Sequence, residues 1–209
     1  MTIQISNMKN ILVAIAATMV LGLFSFTSYH VYSLPIGSAI PMASKKMKDI
    51  SGKEVSLQDA KKENGLLVMF SCNTCPVVIR NQARTKEICG YALDKNVGVI
   101  VLNANEGSRE GNDSWSAMQT YAKEQGYRWY YAVDSKSELA DAFGANRTPE
   151  CYLFDKTGKL VYHGAIDDSP GDAGSVKRHH LKEAINEMTA GKPISVQDTR
   201  SVGCSIQRQ

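Results

Sequence analysis

The stretch Leu66-Leu67-Val68-Met69-Phe70-Ser71-Cys72-Asn73-Thr74-Cys75-Pro76 decides how the rest of the chain is read. The unbroken apolar run Leu66 to Phe70 suits a strand covered on both faces. A pair of thiols three apart follows at once. At a strand-to-helix turn this spacing lets one thiol sit exposed at the helix N-terminus while the second lies within disulfide reach, slightly inside. Pro76 fits the first helical turn, which has no amide hydrogen bond to lose.

The arrangement predicts redox chemistry. A thiolate is the nucleophile in disulfide exchange, and the unpaired amides and positive dipole end of a helix favour negative charge. Cys72 is the expected attacking thiol, with a pKa lowered toward the roughly 3.5 to 7.5 of known CxxC proteins. Cys75 is the expected resolving thiol, placed to attack the mixed disulfide formed by Cys72 and release the reduced substrate. Two other uses of the pair stay open, a structural disulfide and half of a zinc site. Zinc needs a second Cys/His pair at similar spacing, whereas His179 and His180 are adjacent on a helix and point to different faces. Attachment of a c-type haem is excluded, because Pro76 stands where a histidine is required. No metal and no cofactor is expected.

A hydrophobic content of 43% over 209 residues suits one α/β domain with a leader and a tail. The formal charge is only +3, and the lysines are scattered rather than gathered in runs, so no nucleic-acid partner is expected. Ile11 to Phe26 is almost wholly apolar, follows Lys9, and precedes any further ionised side chain until Lys45. Residues 1–28 are therefore a signal peptide or an uncleaved membrane anchor. Either places the remainder in the periplasm or cell envelope, where paired cysteines oxidise and need a dedicated reductant. Residues 29–43, with Pro35, Gly37 and Pro41, are expected to be a linker, 44–190 the domain, and 191–209 a tail opened by Gly191 and Pro193.

Within the domain, Met47 to Leu57 predicts a hairpin turning at Ser51-Gly52-Lys53. A helix follows the thiols and runs to about Cys89-Gly90, and Val97 to Leu102 is the next buried strand. Ser114 to Gln125 spaces Trp115, Met118, Tyr121 and Ala122 at helical intervals before Gly126, an aromatic stripe most simply read as core. Trp129 to Val133 is a short strand and Ser137 to Phe143 a short helix. Cys151 to Phe154 and Leu160 to His163 flank a turn at Asp155-Lys156-Thr157-Gly158, and a last helix spans about Val176 to Thr189. The economical packing is a mixed sheet with helices on both faces.

Asn146-Arg147-Thr148-Pro149 precedes the Cys151 strand, and an X-Pro bond can adopt cis at modest cost. Strand-CxxC-helix, a later Thr-Pro before a strand, then a hairpin and a helix together resemble a thioredoxin fold. That resemblance implies a cis-proline packed against the CxxC, with backbone hydrogen bonds offered to an extended substrate by the preceding residue. Thr148 and Pro149 are the matching substrate-binding positions. Val101-Leu102-Asn103-Ala104-Asn105, Asp113-Ser114, Thr148-Pro149-Glu150, Leu153-Phe154-Asp155, Leu160 to Gly164, Ile166-Asp167-Asp168 and Val202-Gly203-Cys204 narrow it to the peroxiredoxin-like branch of the thioredoxin family. Where thioredoxins carry Gly-Pro between the cysteines this chain has Asn73-Thr74, so Asn73, Thr74 and Pro76 are expected supporting residues that help set redox potential. Where peroxiredoxins keep a threonine, three residues before the position matching Cys75, it has Cys72.

The remaining candidates have bland readings. Cys151 and Cys89 are expected core thiols, and Cys204 is either paired or free. Asp167-Asp168 before Ser169-Pro170-Gly171 makes a turn, and His163 is a satisfied strand histidine. The sequence thus predicts an exported thiol-disulfide oxidoreductase acting on protein thiols or disulfides, with an unidentified reductase as electron donor. The rivals are a thiol peroxidase using Cys75 and a non-enzymatic copper-binding carrier.

Overall fold

The computed structural model describes residues 33–208. The leader expected at 1–28 lies outside the described residues. A small antiparallel hairpin, β1 (Met47–Lys48) and β2 (Glu54–Val55), turns through Gly52 and leads into the one-turn helix α1 (Leu57–Ala60). Ser56 caps α1 through the Asp59 amide, and the Asp59 carboxylate answers the Ser56 amide, which satisfies two orphan donors reciprocally.

The apolar run forms β3 (Leu66–Ser71), followed by the long helix α2 (Pro76–Asp94) and by β4 (Gly98–Asn103). Next come α3 (Trp115–Gln125), β5 (Tyr130–Val133) and α4 (Glu138–Phe143). Both helices are closed by left-handed glycines, Gly126 and Gly144, as glycine allows without a Cβ clash. The chain then makes β6 (Arg147–Thr148), β7 (Glu150–Phe154), β8 (Leu160–Gly164), α5 (His180–Thr189) and β9 (Cys204–Ser205).

The central sheet has the order β5-β4-β3-β7-β8, with β3, β4 and β5 parallel and β7 and β8 antiparallel to their neighbours. Alternate residues serve opposite faces. Leu66, Val68, Phe70, Ile100, Leu102, Tyr152 and Phe154 pack with α1 and α4. Leu67, Met69, Val99, Val101, Cys151 and Leu153 pack with α2, α3 and α5. This is the thioredoxin fold, a mixed sheet with helices on both faces and an N-terminal hairpin. Cys151 and Cys89 are core thiols.

Several boundaries differ from the sequence expectation. Helix α2 continues past Gly90 to Asp94, because burial of Ile88, Cys89 and Ala92 outweighs the roughly 1 kcal/mol that an interior glycine costs. Helix α5 starts at His180 rather than near Val176. Asp168 holds the preceding backbone, accepting from the Lys177 amide at 3.0 Å while its own amide donates to the Arg178 carbonyl at 3.1 Å. Part of the expected linker is docked: the Leu34 amide donates to Phe143, the Gly37 amide to Leu160, and Leu34 and Ile40 pack on the core. The C-terminal tail is docked too, since His163 exchanges backbone bonds with Gln197 and Thr199.

Candidate active site

Strand β3 delivers Ser71 to the edge of the core, and residues 72–75 form the turn into α2. Cys75 is the N-cap of α2, Pro76 its first residue, and Cys72 lies outside the helix. The helix-mouth position expected for Cys72 therefore belongs to Cys75. Both are buried, at 2% and 3% exposure, in a cluster with Val78 against which Val77 and Cys204 pack. Asn73 is buried, while Thr74 and Pro76 are exposed.

Residues from far along the chain close on the two sulfurs. Cys72 Sγ lies 3.4 Å from the Thr148 hydroxyl, and Cys75 Sγ lies 3.4 Å from the Thr148 carbonyl oxygen. The Thr148-Pro149 bond is cis. The structure thus brings together Cys72, Cys75, Thr148 and Pro149. It does not join the two motif cysteines to each other. The disulfide runs from Cys75 to Cys204 in the tail, with Cα atoms 5.9 Å apart, and Cys72 is a free thiol.

The expected lowering of the Cys72 pKa is corrected as well. Burial pushes this thiol up from its ordinary value, and the negative charge of Asp113 adds to that. The Thr148 hydroxyl and the amides of Cys75 and Thr74 favour the thiolate but do not overcome burial. The reason is positional: outside α2 and under cover, Cys72 loses water without gaining the helix end.

A buried polar network fixes the turn. The Asn73 amide donates to Asp113 Oδ1 at 2.9 Å, and its side chain donates to the Asn112 carbonyl at 2.8 Å. The Tyr131 hydroxyl donates to Asn73 Oδ1 at 2.8 Å. Asp113 also accepts from the side chains of Asn103, at 2.7 Å, and Asn105, at 3.1 Å. A Gly-Pro turn could not make the side-chain contacts of Asn73. Sequence reading included Asn103, Asn105 and Asp113 in motifs without assigning them work.

Glu150 was likewise passed over. Its Oε2 accepts the amides of Asn146, at 2.8 Å, and Arg147, at 2.9 Å, and so pins the loop that ends in Thr148 and Pro149. Its Oε1 meets His163 Nε2 at 2.7 Å, and His163 Nδ1 meets Asp198 of the tail at 2.9 Å. His163 is thus a satisfied histidine. Burial pushes its imidazole down, but the two carboxylates outweigh burial and hold it above its usual value. Burial pushes the Glu150 carboxyl up, and His163 with the two amides holds it below its usual value. Asp167 is structural: Arg84 Nη1 donates to both its oxygens, at 2.8 and 2.7 Å, and the Ser169 amide also donates to it. Among the described residues no group of three or more His, Cys, Asp or Glu side chains is placed to hold a metal ion.

Residues 35–181 match the family Redoxin. An uncharacterized conserved protein from Geobacillus kaustophilus superposes with a TM-score of 0.77 at 31% identity, covering 84% of this chain and 93% of that one. A hypothetical protein from Sinorhizobium meliloti superposes with a TM-score of 0.78 at 27% identity, covering 85% and 97%. The thiol-disulfide oxidoreductase ResA of Geobacillus thermodenitrificans is 24% identical over 128 residues, 61% of this chain and 68% of that protein.

Proposed function

The chain belongs to the redoxin family and is a thioredoxin-like oxidoreductase, and on that premise we propose that it is exported and exchanges disulfides with protein substrates through Cys72 and Cys75. The observation that carries this reading is the meeting of both sulfurs with Thr148, the residue before Pro149. In the proposed cycle Cys72 attacks a substrate disulfide and Cys75 displaces the substrate, which leaves as a thiol. Thr148 supplies backbone hydrogen bonds to the extended substrate beside Pro149. Asn73 anchors the turn, and Thr74 and Pro76 form its exposed rim. An external reductase resets the sulfurs.

Export and a membrane tether are proposed from the apolar stretch Ile11 to Phe26. No helix among the described residues is long and apolar enough to cross a membrane, and that stretch lies outside them. Fractionation of the full chain tests this: recovery with the membrane or periplasm supports export, and recovery in the cytosol overturns it. The activity is tested by reduction of insulin disulfides, where loss in Cys72→Ser is expected and unchanged turnover would refute the assignment.

A second reading, a thiol peroxidase, is favoured by the place of Cys75 at the helix N-terminus, where a thiolate is stabilised. Peroxide consumption with a thiol donor that survives Cys72→Ser and is lost in Cys75→Ser would establish it.

A further inference from the structure

We propose that Cys204 is a third exchange thiol, which the C-terminal strand delivers to Cys75 by filling the slot beside Thr148 where an extended substrate would pair. The proposal rests on the disulfide-exchange reading above and extends it to the tail.

Three independent observations support it. First, β9 pairs antiparallel with β6 in the register Thr148 with Cys204 and Arg147 with Ser205. The tail therefore lies as a strand along the residue that precedes the cis-proline. Second, Cys204 is bonded to Cys75, so the tail stands to the site as a captured substrate would. Third, the sequence around Cys204 is built for this approach. A Cβ on Gly203 would lie 2.0 Å from the Thr148 carbonyl oxygen, and one on Gly164 would lie 2.4 Å from the Thr199 carbonyl oxygen, so only glycine lets the tail come this close at either point.

The tail is also anchored on both sides of Cys204. Upstream, the Thr199 hydroxyl accepts from the Ala165 amide at 3.0 Å and meets the Tyr162 hydroxyl at 2.8 Å. Downstream, Ile206 is buried in the core, its amide donates to the Asn146 carbonyl, and the Gln207 amide donates to Asn105 Oδ1 at 3.0 Å.

The chemistry is an internal isomerisation and needs no outside oxidant or reductant. The Cys72 thiolate attacks Cys75 Sγ, the Cys72-Cys75 bond forms, and the Cys75-Cys204 bond breaks. The electron pair leaves on Cys204 Sγ, which takes up the proton that Cys72 gave to solvent. In reverse, after a turnover has left the Cys72-Cys75 disulfide, Cys204 attacks Cys75 and returns Cys72 as a free thiol. Cys75 is thus the sulfur shared by both bonds.

The test uses the full chain, oxidised with oxidised glutathione, blocked with N-ethylmaleimide at acid pH and digested with trypsin without reduction. Cys72 and Cys75 fall on the peptide Glu63 to Arg80, and Cys204 falls on Ser201 to Arg208, so mass spectrometry separates the two isomers. The expected result is the cross-linked pair with label on Cys72, in at least about tenfold excess over the looped single peptide. Gly203→Val keeps every cysteine and should shift the ratio toward Cys72-Cys75 by about tenfold or more, the effect of losing one or two backbone hydrogen bonds. Cys204→Ser, checked for folding by circular dichroism, should hold its disulfide as Cys72-Cys75.

A wild-type chain with Cys204 labelled and only the looped peptide overturns the proposal, as does an unchanged ratio in Gly203→Val. Insulin reduction is followed in parallel. Turnover with Cys204 labelled throughout sinks the third-thiol role and spares the proposed function. A chain that forms Cys75-Cys204 yet leaves insulin intact sinks the proposed function and leaves the internal transfer standing.

Discussion

The backbone amide of Asn73, between the motif cysteines, donates to the carboxylate of Asp113, a residue with no exposed surface at the start of α3. Through this bond the turn that carries the sulfurs is tied to the far end of β4, where Asn103 and Asn105 bind the same carboxylate.

Asp113→Ala should cost about 2 to 4 kcal/mol, because it strands several buried donors at once. Burial is the main cause of the raised Cys72 pKa, and Asp113→Asn removes the negative charge that adds to it. The Cys72 pKa should then fall, and its alkylation by iodoacetamide at fixed pH should quicken severalfold. Urea midpoints and labelling rates check the two effects separately.

Cys72→Ser should abolish insulin reduction, since it removes the proposed nucleophile. Cys75→Ser should instead accumulate mixed disulfides between Cys72 and substrate, visible as adducts on non-reducing gels. Equal, adduct-free inactivity in both variants would contradict the division of labour between them.

The pair Glu150 and His163 predicts a window of pH. His163 has a raised folded-state pKa, so its contribution is complete below its ordinary value of 6.5 and is lost as pH rises through the raised value. Glu150 has a lowered one, so its contribution is complete above its ordinary value of 4.5 and is lost as pH falls through the lowered value. The stability difference between wild type and His163→Gln should therefore be largest between these two ordinary values and shrink on either side. Thermal melts at several pH values measure it, and a flat difference would remove the ion pair from the account.

Arg84→Met should destabilise the fold by about 3 to 5 kcal/mol, because it leaves the buried Asp167 carboxylate without its cation. Adding Asp167→Leu should recover most of that loss. Urea denaturation of the single and double variants gives the coupling directly.

Much of this was legible in the residues themselves. Leu66 to Phe70 and Val97 to Leu102 are apolar on both faces and admit little but central strands, and Gly126 and Gly144 end their helices as their position demands. Thr148 and Pro149 could be placed beside the sulfurs through the resemblance alone, because nothing local in Asn146-Arg147-Thr148-Pro149 reports on a contact more than seventy residues away. The partner of Cys75 was not legible. Cys204 sits in a stretch with no periodicity, and its seat is created by β6, a two-residue strand too short to leave a pattern. The helix starts after the thiols, as expected, but its N-cap is Cys75 rather than Cys72, so the dipole end falls to Cys75 while burial raises the Cys72 pKa. Burial decides that shift, and it depends on chain segments that a local reading does not bring together.

The span between Cys75 and Cys204 is 129 residues. A ribosome therefore makes the motif long before Cys204, and in the interval a nascent chain offers Cys75 its near neighbour Cys72, then Cys89 and Cys151. The order of synthesis thus bears on the order of pairing: Cys72 is available to Cys75 at once, whereas the partner found in the folded protein is made 129 residues later.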